Sequence, residues 1–341
     1  MSTTDKIFDK NTYNRLSIIN KKKLLHGNEL LNYCNSLPPI IFVDPIYTLK
    51  LKKPPLNAIR ESKFSNFNSI INNMMTFNQA YSIKLKPHKI HIYGNNISQK
   101  YLFHINNIIN WWEKIRPKIY EVNLYLTNLT KQLPDKSKPL VLDEESINSG
   151  FTFVSAPNDI HIFRKEESLK VLLHELIHAS KYDFDNNNLL ELQIKLKDDN
   201  ITNEGITEYL AIIHYYWYIA NYLNQYVLKN ISSSELFLEL LGNDINWQEY
   251  QINKIFLYFN MKSSDLLNPD NNFKQKTSVI SYFIFKNFLF TENSIKIILS
   301  RNYELINELI SKFPNYLNNF IPFKILNNSS SMRMSLYELD F

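Results

Sequence analysis

Glu166-Glu167-Ser168-Leu169-Lys170-Val171-Leu172-Leu173-His174-Glu175-Leu176-Ile177-His178-Ala179-Ser180 decides how the rest of this chain is read. The stretch holds no proline or glycine. Leu169, Leu172, Leu173 and Leu176 recur at helical spacing, which predicts a helix with one buried side. Ser168 stands where an N-cap belongs. Positions four apart share a helix face, so His174 and His178 aim two imidazoles at one point. That pair suits a zinc ion, and Glu175 can reach a water held by the metal. With eight histidines in 341 residues, the pentad would seldom arise by composition alone. The plain alternative is a buried helix with two hydrogen-bonded histidines and a surface glutamate.

A zinc site of this kind needs a third protein ligand and one open position. The candidate is Glu204, in Thr202-Asn203-Glu204-Gly205-Ile206-Thr207-Glu208-Tyr209-Leu210-Ala211. Ile206, Leu210 and Ile213 mark a second amphipathic helix, capped by Asn200 or Thr202. Glu204 and Glu208 share a face there, and two carboxylates on a buried face are costly unless paired or metal-bound. Glu204 as ligand, with Glu208 hydrogen-bonding a ligand histidine, accounts for both. The competing reading is an exposed helix start whose acidic residues the dipole favours.

His-Glu-x-x-His on one helix followed by Asn-Glu-Gly on the next resembles the gluzincin metallopeptidases, the thermolysin and M1-aminopeptidase type, over about residues 148–211. The resemblance implies an α+β, zincin-like fold. A mixed-sheet upper lobe would carry the metal helix, and a mainly helical C-terminal lobe would follow. It further implies Zn2+ as cofactor, peptide-bond hydrolysis of a peptide or protein substrate, Glu204 as third ligand and Glu208 in support of a histidine. Glu175 would take a proton from the zinc-bound water and deliver it to the leaving amine. The family's oxyanion donor is a Tyr or His, often beyond the third ligand. No histidine follows His214, so Tyr282 is the choice, with Tyr258, Tyr215 and Arg301 as rivals. One departure is the 25 residues between His178 and Glu204, whose surplus runs polar and Asn/Asp-rich from Lys181 to Asn200. The M1 group's Gly-Ala-Met-Glu-Asn-type signature is absent, which tilts the expectation toward an endopeptidase. Two other classes stay open: an inactive zincin-fold binding protein, and a zinc hydrolase acting on an ester, amide or epoxide.

Upstream, residues 88–94 read as a strand and 98–115 as a helix. Val122, Leu124 and Leu126 alternate in a half-buried strand, and 151–154 and 160–163 form a hairpin about Ser155-Ala-Pro-Asn-Asp. Asn148-Ser-Gly-Phe-Thr is the candidate edge for β-augmentation by a peptide, which makes Gly150 and Phe151 candidate substrate-binding residues. The chain has five glycines, well below the usual frequency of about 7%. Gly150 and Gly205 therefore mark close backbone approach. Residues 1–80 read as a Pro-punctuated lead-in of unassigned role. Residues 81–325 form the zincin-like domain, with an upper lobe over 81–181 and a helical lower lobe over 200–325 that includes helices at 232–241, 247–259 and 276–289. The tail, 326–341, reads as loose.

An apolar fraction of 44% and an aromatic fraction of 14% argue for a folded core. The net charge of +5 is mild, and Lys21-Lys-Lys and the lysines between 50 and 53 lack the interleaved aromatics of a stacking platform, so no nucleic-acid partner is expected. A single cysteine, Cys34, fits a reducing compartment. The start of the chain shows no signal-peptide pattern, and the apolar window at 279–290 is too short to span a bilayer, so no membrane partner is expected. These features make the expected location cytoplasmic. The Lys/Ile/Asn-rich composition suits an AT-rich genome, and for a viral source the expectation extends to the virion. The sequence leaves the oligomeric state open.

Overall fold

Apolar residues at a period of two build strands here, and those at a period of 3.6 build helices. The structure, a computed structural model, describes residues 26–50, 53–62, 68–135, 141–153, 156, 158–185, 188–190, 201–268, 270–320 and 330–339. In chain order the elements are α1 (Gly27–Ser36), β1 (Tyr47–Lys50), α2 (Asn57–Glu61), α3 (Asn68–Met75), β2 (Gln79–Ile83), β3 (Lys89–Gly94), α4 (Gln99–Ile115), β4 (Glu121–Tyr125), α5 (Glu144–Ile147), β5 (Gly150–Thr152) and β6 (Asp159–Ile162). They continue with α6 (Ser168–Ala179), α7 (Ile201–Tyr226), α8 (Ser233–Phe259), α9 (Lys286–Thr291), α10 (Ile295–Ser300), α11 (Tyr303–Ser311) and α12 (Phe313–Asn319). The class is α+β and mostly helical. Two compact units divide the described residues: those within 36–131 and 148–183 together with Leu339, and those within 26–35, 132–147 and 184–338.

The first unit holds one six-stranded sheet in the order β1-β2-β3-β4-β6-β5. β3, β4 and β6 run parallel, while β1, β2 and β5 join antiparallel. β4, expected to be half-buried, is buried on both faces. Val122 and Leu124 are at 0% exposure on one side, and Asn123 and Tyr125 are covered on the other. The reason lies in α2 and α3, whose Ile59, Ile70 and Met74 pack with Tyr93, Tyr125 and Phe151. Each such apolar side chain contributes about 1.5–3 kcal/mol on burial. From the stretch 1–80 read as a lead-in, β1 and the start of β2 are strands of the sheet itself. The helix at 98–115 is as read, with the Ser98 side chain accepting from the Tyr101 amide. Ser155 and Pro157 of the expected hairpin turn lie outside the described residues.

In the second unit, α7 is not amphipathic. Residues 205–220 are buried all round, as an apolar helix inside a bundle must be. Asn200 lies outside the described residues, and Thr202 sits in the first turn with its hydroxyl donating to Leu190 O. The two helices expected at 232–241 and 247–259 are one, α8, opened by a capping box of Ser232 and Glu235. It runs through Gly242, where a Cβ would meet nothing, and through a buried Asp244 that accepts from Tyr216 at 2.6 Å and Gln248 at 2.7 Å. The tail also departs from expectation. Met332, Ser335 and Tyr337 are buried, because Trp247 and Gln251 donate to Arg333 O and Lys286 donates to Met334 O. No helix among the described residues is long and apolar enough to cross a membrane.

Candidate metal centre

α6 is buried at every residue except His178, so the pentad sits on a helix held from all sides. Its start differs from the sequence reading. Glu167, not Ser168, is the N-cap, in the left-handed conformation at φ 57°. The Ser168 hydroxyl instead accepts from Tyr101 at 2.9 Å, and the Glu167 carboxylate takes the Lys131 ammonium at 2.8 Å. Both partners of that ion pair are buried. Burial pulls the lysine below its usual range while Glu167 pulls it back.

One turn apart, the His174 and His178 rings meet edge to face with centroids 4.8 Å apart, and their Nε2 atoms are separated by 3.1 Å. Two nitrogens on one tetrahedral zinc, each about 2.05 Å away, lie about 3.3 Å apart, so this spacing fits a shared metal. His174, His178 and Glu204 each offer one ligand atom, and the three atoms lie within 4.8 Å of one another. The donor set is two imidazoles and a carboxylate, a mixture that zinc and other first-row divalent metals accept.

Glu175, at 5% exposure, is not the surface glutamate of the plain reading. Its Oε2 accepts from the Thr152 hydroxyl at 2.8 Å. Gly150 and Thr152 flank Phe151 on β5 and so share the opposite face of the strand. A Cβ on Gly150 would lie 2.9 Å from Val171 Cγ1 and 3.2 Å from Glu175 Oε1. Gly150 therefore serves close approach of β5 to α6. β5 does end the strand order, as an edge should. Phe151, however, points into the core at 5% exposure, stacked 4.9 Å from His161. The Phe151 ring, expected at a substrate edge, is therefore packed in the core and not on an open face.

On α7, Glu204 Oε2 accepts from the Tyr282 hydroxyl at 3.2 Å. Tyr282 belongs to a π-helical turn, Ile280–Phe285, of the kind that recurs at functional sites. Its rivals are committed elsewhere. Tyr258 donates to Pro134 O, Tyr215 donates to Tyr337 O, and Arg301 lies over the Phe184 ring. Glu208 is buried with its Oε1 3.5 Å from the Lys286 ammonium. The carboxylate found on His178 Nδ1 is Asp183, at 2.6 Å. Gly205 faces Phe285, whose ring occupies the space a Cβ would take, so its close neighbour is the π-helical turn.

Sequence reading missed Thr152 and Asp183. Strand alternation from Gly150 points to the first. The second was absorbed into the polar insertion after His178, although Tyr182 and Phe184 beside it are buried at 7% and 6% exposure. Comparison with family models, curated proteins and solved structures returns no match to this chain.

Proposed function

We propose that this chain is a zinc-dependent peptide-bond hydrolase of zincin-like architecture, acting as an endopeptidase of the gluzincin type. The observation that carries the reading is the His174–His178 pair with a buried Glu175 beside the first of them, in a group with Glu204 that could hold a metal ion. Zinc, when bound, supplies Lewis acidity to a scissile carbonyl and to a water. His174 and His178 would hold the cation through Nε2, and Glu204 through a carboxylate oxygen. Of the two acids on that face of α7, Glu204 is the better ligand, because Glu208 is already paired with an ammonium. Glu175 takes the proton from water and passes it to the leaving amine. Thr152 keeps its Oε2 in place. The substrate lies along β5 as an added strand, where Gly150 sets its depth against α6. Tyr282, whose one hydroxyl proton goes to Glu204 in the free chain, would turn it to the oxyanion, a contribution of about 3–4 kcal/mol in comparable sites.

The test is a peptide-library digest by the wild type, Glu175→Gln and His174→Ala, read by mass spectrometry together with bound-metal analysis. Cleavage confined to the wild type, with stoichiometric zinc that His174→Ala loses, is the expected result. Equal cleavage by wild type and Glu175→Gln rejects the mechanism.

A further inference from the structure

α6 does not simply stop after His178. Ser180 closes it, Lys181 takes the left-handed conformation at φ 54°, and two hydrogen bonds reverse the chain: Lys181 N to His178 O at 3.0 Å and Tyr182 N to Ile177 O at 2.9 Å. This is a Schellman turn made without the glycine that usually fills its left-handed position. A non-glycine residue held there costs about 1–3 kcal/mol, which the surroundings must over-determine. They do so through Tyr182, edge-on to Trp112 at 5.8 Å and under the Arg116 guanidinium at 4.4 Å. The reversal brings Asp183, five residues beyond His178, back onto that histidine's ring at 2.6 Å.

The chemistry of the contact is directional. An ionised carboxylate accepts only, so His178 donates from Nδ1, and in the neutral ring the lone pair then sits on Nε2. Nε2 is the atom facing His174. We infer that Asp183 is a positioning residue for the metal. It fixes the ring angle and tautomer of His178 through a turn built for that purpose, and its charge makes the imidazole a stronger donor. The inference rests on the metal reading above and deepens it: the support for this ligand comes from the chain directly after the metal helix, a segment that spacing alone presents as a loop.

The experiment needs no substrate. Purified chain is titrated with Zn2+ against a competing chromophoric chelator, and with Co2+ by its visible absorption, for the wild type, His178→Ala, Asp183→Asn and Asp183→Ala. The wild type binds one ion and His178→Ala loses it. Asp183→Ala weakens Zn2+ about 10–100-fold and alters the Co2+ spectrum. Asp183→Asn, which can still accept from Nδ1, falls between. Melting of the metal-free forms shows whether each variant folds; if Asp183→Ala does not, Asp183→Asn carries the comparison. Zinc affinity within twofold of wild type in the folded Asp183 variants overturns the inference while leaving the metal site standing. A wild type that binds no zinc, or that His178→Ala matches, overturns both.

Discussion

Thr152→Val isolates one hydrogen bond at the proposed base. Valine keeps the branched shape and the strand preference of threonine and removes the hydroxyl that donates to Glu175 Oε2 at 2.8 Å. A hydrogen bond to a charged, shielded group contributes about 1.5–3 kcal/mol. Glu175 is 5% exposed, so water replaces the lost donor poorly. At about 1.36 kcal/mol per factor of ten, misplacing the carboxylate lowers kcat about 10- to 100-fold. KM is expected to change little, because in the proposed binding mode strand pairing, and not this hydroxyl, would hold the peptide. The assay is turnover of the fastest peptide from the library digest, alongside zinc stoichiometry and melting temperature, with Thr152→Ser as the rescue. Wild-type kcat in Thr152→Val, in a background where Glu175→Gln is inactive, refutes the reasoning; a fall that Ser does not restore assigns the effect to packing.

Gly205→Ala places a methyl group against the Phe285 ring and is expected to cost about 1–3 kcal/mol in denaturant unfolding by overpacking; an unchanged midpoint refutes it. Burial holds His104 down to about 3 and His214 down to about 4, so both stay neutral in the folded chain. Below the ordinary histidine pKa of about 6.5 the unfolded chain binds the extra protons, so stability falls as pH drops from there toward 4, by about 3 kcal/mol for each. Melts from pH 7 to pH 4 should show a shallower loss in His214→Asn. Burial brings Lys254 down to about 7, so its neutral form is favoured by folding, and stability should rise between pH 7 and about 10.5 as the penalty fades. A Lys254→Met variant with the same alkaline rise contradicts that assignment.

What could be read from the linear chain is what depends on residue type at fixed spacing. The pentad, Glu204 and the edge strand at Gly150 belong there, since helix and strand periods convert spacing into a shared face. Tyr282 could be named as a donor but not placed, because a π-helical turn has no spacing signature that distinguishes it from an α-helix. Glu167 replaced Ser168 as the N-cap because a buried partner, Lys131, holds its carboxylate in a left-handed start that local preference disfavours. α8 ran through Gly242 because Asp244 found Tyr216 and Gln248 inside the bundle, where a turn would have exposed it. The tail looked loose by composition, yet its carbonyls satisfy donors on other helices. Each of these differences arises where a tertiary partner outweighs a local tendency.

The two acids four apart on α7 show how tertiary partners divide labour that spacing leaves equal. Tyr282 and Lys286 are also four apart, and they pair with Glu204 and Glu208 in the same order, so the two segments run side by side in parallel. The second rung matches a carboxylate with an ammonium, both fully buried, and such a pair is costly to break from either side. The first rung gives Glu204 a hydroxyl donor, and a neutral donor orients a carboxylate without cancelling its charge. A carboxylate held that way keeps its full attraction for a cation, whereas one already joined to an ammonium must first give it up. In the proposed site, register between the two segments thus assigns Glu208 to the ion pair and leaves Glu204 to the metal.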